Sequence, residues 1–541
     1  MKKIYLQACI LAGLALSFSS CDKWLDGVKQ TNQVDDITVW QKAEYVDKNV
    51  NAFYTFLHKY GQFGTYQFEG SLTEGLTNTF KYGSVALENR AGSVNNYAMN
   101  PGVINPDGYL LNVWDQNKAY QNIKQTNQFL DLLKKYSKFT PEQNTLWEAQ
   151  VRFFRAYIYF QLAKRHGSVL IWGGLPDVND KARTPEKDTW DYIANELDFA
   201  AEHLPATWSG ANSGRVTKGA ALALKSRAML YAERWQEAYD AAQAVQALGL
   251  YDLVSDYAQA WKGNNKESIL QFDYNATTGP SHSFDQWYAP GTDYEYGSTG
   301  TPTQEMVEAY EDKSGNKVDW SPWHAGPTAT RPPYEQLEPR FHATVIYNGS
   351  TWKGKVMDCS VGGPNGEFVE YRSMPYTFGK TTTGYFLRKL LEESHKDLKG
   401  LPSSQTWVEL RFAEVLLNQC EAAYRLGKIA DARSLLNRVR ARVGLPPKSS
   451  SGDEFFKDYR NERMIELAYE GHLYWDMRRW ELAHIEYNNY RCHGMKILNG
   501  TYEYIDCDKQ DRKFIKKLYV FPIPSAEIRN NSLMEQFDEW K

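Results

Sequence analysis

Cysteine is scarce in this chain: six in 541 residues, and beyond Cys21 only Cys359, Cys420, Cys492 and Cys507. No two stand in CxxC spacing, which argues against both a zinc site of that type and a dense disulfide framework. Cys492 and Cys507 flank a polar, strand-like segment, where either a disulfide or two free thiols is compatible with the sequence. Long apolar runs are missing after the first twenty residues, so nothing there reads as a membrane-spanning helix. An excess of one charge is missing too: 62 basic side chains face 66 acidic ones, a net of −4, which gives no electrostatic footprint for nucleic acid. Catalytic signatures are absent as well, with no HExxH, GxSxG or GxGxxG. Gly379-Lys380-Thr381 resembles the end of a phosphate loop, but Met374 stands where that loop needs glycine. No segment has the alternating Asp/Asn pattern of a calcium loop, so no cofactor and no metal ligand set is expected.

What is present begins at the N-terminus. Lys2 and Lys3 precede an apolar run from Ile4 to Leu16, too short to span a bilayer, followed by Ser19, Ser20 and Cys21. Residues 1–20 read as an export signal. A cysteine directly after small residues resembles a bacterial lipobox, which implies lipidation of Cys21; the alternative is an ordinary cleaved signal with an incidental cysteine. Without Lys2 and Lys3, 60 basic side chains face 66 acidic ones. Residues 21–541 carry no low-complexity linker and read as a single body.

Helical periodicity recurs along that body. Leu410, Ala413, Leu417, Cys420 and Tyr424, then Ala432, Leu436, Val439 and Val443 after Gly427, predict a helical hairpin with alanines where two backbones approach. Glu44 to His58 and Trp114 to Tyr136 read as helices. Thr140-Pro141-Glu142-Gln143 opens a third that ends at Gly167, Asp188 caps a fourth, Thr217 starts a fifth, and Trp235 to Leu248 closes on it. Such pairs bury a face only by stacking on neighbours, as in tetratricopeptide-type arrays. The expected fold is mainly α: an α-solenoid scaffold at approximately 40–250 and 405–482, loop-rich segments at approximately 60–112 and 250–405, and a C-terminal segment 483–541. Trp114, Trp147, Trp190, Trp235, Trp261 and Trp475 lie on helical stripes or beside repeat turns and are expected in the core.

Rings are abundant: 17 Trp, 36 Tyr and 24 Phe, in a chain whose mean hydropathy is only −0.60. Many gather in non-helical stretches, notably Ser281 to Pro302 and Asp319 to Pro327, among Gly, Pro, Ser, Asp and Asn, a mixture suited to a ligand-facing surface. Pyranose rings stack their CH patches on flat aromatic faces while their hydroxyls need polar partners. Trp287, Tyr288, Tyr294, Trp320 and Trp323, with Tyr296 beside them, are therefore candidates for sugar contact, with Asp285, Gln286, Asp293 and Asp319 close in sequence. A loop ring is also often a plug over the scaffold.

The densest charge block is Glu462, Glu466 and Glu470 at four-residue spacing, with His472, Asp476, Arg478 and Arg479 following. Carboxylates on adjacent turns of one helix do not enclose a sugar as a glycosidase pair must, so the block reads as ion pairing that locks a helix to the array. His166 and His324 have no metal spacing and are expected to be hydrogen-bonded structural residues.

Five ordered blocks then carry a resemblance: Ala149 to Leu170, Gly214 to Tyr231, the LRFAEVLLNQCEAAYRLG opening of the hairpin, Asn461 to Trp480, and YVFPIPSAEI from Tyr519 to Ile528. Together with the lipobox they resemble the SusD/RagB family of surface nutrient-binding lipoproteins over essentially the whole mature chain. The resemblance implies four tetratricopeptide-like helix pairs against an irregular ligand-binding face. It also implies a lipid-anchored, surface-exposed outer-membrane location and a SusC-like TonB-dependent transporter as partner, with an oligosaccharide or polysaccharide as ligand. It places the glycan platform in residues 280 to 327 and in an early loop, Tyr66 to Tyr97, where Tyr82 is the candidate ring with Asn78 and Arg90 beside it. A RagB-like peptide-binding lid, a surface glycoside hydrolase and a ligand-free structural lid are the alternatives.

Overall fold

The computed structural model describes residues 36–541 apart from 62, 64–71, 83–93, 109–110, 115–117, 177–179, 295–296 and 366–380. The export signal and Cys21 lie outside the described residues, as do Arg90 and Tyr296.

Long helices form where the apolar period is 3.6, and four of them run into a left-handed glycine, Gly167, Gly249, Gly427 or Gly444. The scaffold runs α1 (Ala43–Phe53), α2 (Ala119–Tyr136), α3 (Pro141–His166), α4 (Glu186–His203), α5 (Lys218–Tyr231) and α6 (Trp235–Ala247), and resumes with α7 (Phe412–Arg425), α8 (Ile429–Arg442), α9 (Gly452–Glu466) and α10 (Leu473–Arg479). From α2 to α8 each helix packs on the next, and α6 packs directly on α7, so the insertion of residues 250–405 interrupts the chain but not the array. Thr140 Oγ1 accepts from Gln143 N at 3.3 Å with Pro141 in the first turn, and Thr217 caps α5 through Ala220 N at 3.1 Å. Gly427 turns between α7 and α8 at φ +74°.

Three sequence expectations are corrected. Leu410 is not helical: Trp407–Arg411 forms strand β4, antiparallel to β2 (Ser268–Phe272), and α7 begins only at Phe412. The strand WVELR is buried throughout, so a short apolar run was indistinguishable from a helix start by period alone. Asp188 sits in the first turn of α4 rather than capping it, the cap position being Pro185. The helix expected from Glu44 to His58 breaks at Tyr54, with a second short helix over Thr55–Tyr60.

Two large hydrophobic clusters divide the interior. One fills the helix array and includes Trp147 and Trp190; the other is built by the inserted region and includes Trp261, Trp320, Trp323 and Trp352. A third joins α10 to the C-terminal segment through Trp475, Phe514 and Phe521. Of the six core tryptophans expected, all are buried except Trp235, which is half-buried against the first cluster.

Salt bridges tie the inserted region to the scaffold. Glu466 of α9 accepts from Arg411 at 2.7 Å, from Arg340 at 3.2 Å and from Arg442; Glu470 accepts from Arg411 at 2.7 Å and Lys389 at 2.6 Å; Glu462 meets Arg440 at 3.0 Å and Arg340. Asp476 holds Arg463 and Arg479 at 2.7 and 2.8 Å. All of these side chains are buried or nearly so. Burial alone would raise the Glu466 carboxyl, but Arg442, Arg411 and Arg340 hold it well below the usual carboxylate range. The spacing suggested ion pairing of this block to the array; its carboxylates pair with Arg340 and Lys389 of the inserted region as well, while Arg478 bonds the Tyr519 carbonyl instead of a carboxylate.

Candidate functional site

The early loop and the inserted region meet at one two-stranded sheet, β1 (Phe80–Tyr82) against β3 (Gly300–Pro302). Tyr82, the last described residue before 83–93, pairs with Gly300, four residues after 296. Thr381, the first described residue after 366–380, donates to Thr301 Oγ1 at 3.0 Å, and Thr383 does the same at 3.1 Å. The stems of three segments far apart in sequence therefore stand side by side. Gly300 is required there, because a Cβ would fall 2.1 Å from the Phe80 ring.

The base of this junction is rigid. Lys81 is fully buried and donates to Asp508 at 2.7 Å; Arg512 donates to the same carboxylate at 2.8 Å and to the carbonyls of Gly75, Thr77 and Phe80. Burial would raise Asp508, but Arg512 and Lys81 hold it well below the usual range. Thr303 Oγ1 donates to Asn78 O at 2.6 Å, locking the approach to β1 to the exit from β3.

The candidate rings divide. Trp287 and Tyr294 are half-buried and close the turn that leads into β3: Thr299 N donates to Trp287 O and Gly297 N to Tyr294 O, each at 2.8 Å. Asn78 is half-buried at the foot of β1, and its side-chain amide has no hydrogen-bond partner among the described residues. The other four rings are corrected to core positions. Tyr288 is 0 % exposed and its hydroxyl accepts from Leu72 N at 3.0 Å. Tyr82 packs on Val94, and Trp320 and Trp323 lie 5.4 Å apart within the inserted region's own cluster, Trp323 donating to Thr330 O at 2.9 Å. Their faces are spent on packing, so they offer no stacking surface; Gly- and Pro-rich sequence around a ring signals a loop, not the side of the loop that faces water.

The neighbouring polar residues are also largely committed. Asp285 accepts from Glu392 N and Gln405 and bonds His395, whose pKa that bond raises; Gln286 donates to Leu398 O; Asp293 accepts from Trp352 Nε1 at 2.7 Å; Asp319 caps Ser321. His166 is buried and bonds Phe521 O at 3.0 Å, and His324 bonds Glu308 at 2.8 Å, both structural as expected. Cys492 and Cys507 face each other across the extension of the hairpin β5 (His493–Leu498) and β6 (Thr501–Asp506), yet both are free thiols directed to different carbonyls, Asn78 O and Thr382 O.

Sequence reasoning passed over Trp172. It is half-buried in a cavity of about 310 Å³ between α2 and the short C-terminal helix α11 (Ser525–Asn530), beside Lys124, Leu175 and Glu527. The signal available was the run Trp172-Gly173-Gly174-Leu175-Pro176. Asn127 and Asn531 on its wall are already bonded to the backbone of Trp172, Gly174 and Lys181.

No described helix is long and apolar enough to cross a membrane, and no group of three or more metal-ligating side chains occurs among the described residues. Two family models match the chain: the SusD family over residues 266–540, and a model described as starch-binding, associating with the outer membrane, over residues 23–230. SusD-like protein P2 of Formosa agariphila is 24 % identical over 477 residues, covering 84 % of each chain. A SusD-like protein of Bacteroides fragilis superposes with TM-score 0.77 at 26 % identity, covering 93 % of this chain and 98 % of its own. A SusD-like carbohydrate-binding protein of the same species superposes with TM-score 0.78 at 23 % identity, covering 92 % and 100 %. The paired-helix array, the inserted region packed on it and the matches that together span both halves agree: this chain belongs to the SusD family.

Proposed function

We propose that the protein captures a polysaccharide or oligosaccharide at the cell surface, held to the outer membrane by a lipid on Cys21, and delivers it to a SusC-like TonB-dependent transporter. The observation that carries this reading is the β1/β3 junction, where Asn78, Trp287 and Tyr294 are partly exposed beside the stems of the segments that hold Arg90 and Tyr296. Flat rings and an uncommitted amide on a rigid base are what a sugar needs: a stacking face and a hydrogen-bond partner that does not have to be released from another bond. Binding without catalysis fits the fate of the acidic block, whose carboxylates are consumed by arginines in the scaffold lock.

Affinity electrophoresis through native gels containing separate plant, microbial and host polysaccharides tests this. Retardation by one class is expected. Trp287→Ala with Tyr294→Ala should weaken it by at least about tenfold, the equivalent of roughly 1.4 kcal/mol. Undiminished retardation of that double variant would move the platform elsewhere, and no retardation by any polysaccharide, with binding to a peptide library instead, would favour the peptide-capturing alternative.

A further inference from the structure

A second, smaller cavity of about 60 Å³ lies where α3 and α5 meet β4 and the turn before α10. Its chemistry is one-sided. Lys164 lines it, with Nζ over the Phe160 and Trp475 rings at 5.4 and 4.7 Å from their centroids. Among the described residues no carboxylate oxygen comes within 4.0 Å of that ammonium, and Nζ makes no hydrogen bond. His472, at the N-cap of α10, has no side-chain partner either. Gln161 bonds Arg165 only through its Oε1, at 3.2 Å, which leaves its NH2 uncommitted.

The two carboxylates on the wall are bonded to other donors. Glu409 is taken by Arg227 at 2.7 Å and Trp407 Nε1 at 2.9 Å, and both oxygens of Glu470 are taken by Arg411 and Lys389. Burial, together with Arg165 and Arg227, pushes the Lys164 ammonium well below its ordinary pKa. Lys164 is half-buried, and its ammonium faces this pocket with no carboxylate in contact, a position that an anion, water or loss of the proton can satisfy.

We propose that this cavity binds a small anion, of the size of chloride or formate, held by Lys164 Nζ with Gln161 Nε2 and a ring N–H of His472. The volume suits it: at about 10–15 Å³ per water-sized probe there is room for roughly four to six water positions, enough for such an ion with one or two waters. The anion would complete the charge balance at the seam between the scaffold and β4, a structural ligand distinct from the nutrient bound at the β1/β3 junction.

Two measurements on the purified protein decide it. Thermal unfolding is followed in chloride and in gluconate, an anion too large for the cavity, at matched ionic strength. The expected result is a melting temperature that climbs and saturates with chloride but not with gluconate, and a climb that is lost in Lys164→Met. Equal curves in the two salts, or a chloride response that survives Lys164→Met, overturn the proposal. Should that variant fail to fold, crystals of the wild-type protein soaked in sodium bromide give the answer: an anomalous peak within hydrogen-bond distance of Nζ supports the site, and water density there without anomalous signal, meaning a neutral amine, refutes it.

Discussion

Glu466→Gln is the sharpest probe of the lock between the two halves of the molecule. The side chain is 0 % exposed and its two oxygens face three guanidinium groups, Arg411, Arg340 and Arg442. The amide is nearly isosteric, so the change removes one charge and turns one acceptor into a donor aimed at a guanidinium. Breaking a buried pair from one side costs about 3–5 kcal/mol. The lower end applies here, because each arginine keeps another carboxylate: Glu267 and Glu470 for Arg411, Glu338 and Glu462 for Arg340, Glu267 for Arg442. Unfolding entropy of about 2.1 cal/mol/K per residue gives roughly 1 kcal/mol/K for a chain of this length, so about 3 kcal/mol lowers the melting temperature by about 3 °C in a single cooperative transition. Calorimetry at pH 7 measures it, with Glu44→Gln, whose partner Lys48 is equally exposed, as a control that should leave the melting temperature unchanged. Because the Glu466 pKa is depressed in the folded state, its stabilisation is complete above its ordinary value of 4.5 and fades as pH falls below it, so the gap between wild type and variant should narrow in acid. A loss no larger than the control's, or a gap that does not shrink in acid, would refute the reasoning.

Glu74 behaves oppositely. Fully buried, with a hydrogen bond from Gly471 N at 2.8 Å and no paired cation, its carboxyl is pushed up by burial to about 7. Its favourable state is therefore present below pH 4.5 and lost as pH rises through about 7, so Glu74→Gln should stabilise the protein above neutrality by up to about 3 kcal/mol and leave it little changed at pH 4, measured by urea denaturation at both pH values. The thiols of Cys359, Cys420, Cys492 and Cys507 are buried and free, and burial raises the pKa of each. Ellman's reagent should then react slowly with the native protein and titrate all four after unfolding without reductant; a count lower by two would mean that Cys492 and Cys507 pair after all.

The paired helices were legible in the sequence because each is an autonomous period with its own start and stop signals: Thr140 with Pro141, Thr217, and Gly427 act within one turn of where they stand. Part of the lock was legible for the same reason, since four-residue spacing puts Glu462 and Glu466 on one face of α9; Glu470 lies in the turn beyond that helix, after Tyr469 at φ +63°, and reaches Arg411 and Lys389 from there. Which side of a loop a ring occupies is not local. Trp287 and Trp320 sit in equally turn-rich sequence, yet one is half-exposed at the β1/β3 junction and the other fills the inserted region's core. The junction beside Trp287 is assembled from Phe80, Thr301 and Thr381, up to 301 positions apart, whereas Trp320 packs against Trp323 within the inserted region's cluster. The same holds for the cavity at Lys164, whose lack of a partner depends on where Arg227, Arg411 and Lys389 direct their bonds. The sequence by itself determined the helix array, the family resemblance and the closed charge block, all products of short-range periodicity; tertiary structure alone decided which rings and which cations remain uncommitted, because that depends on the packing of segments with no sequence proximity.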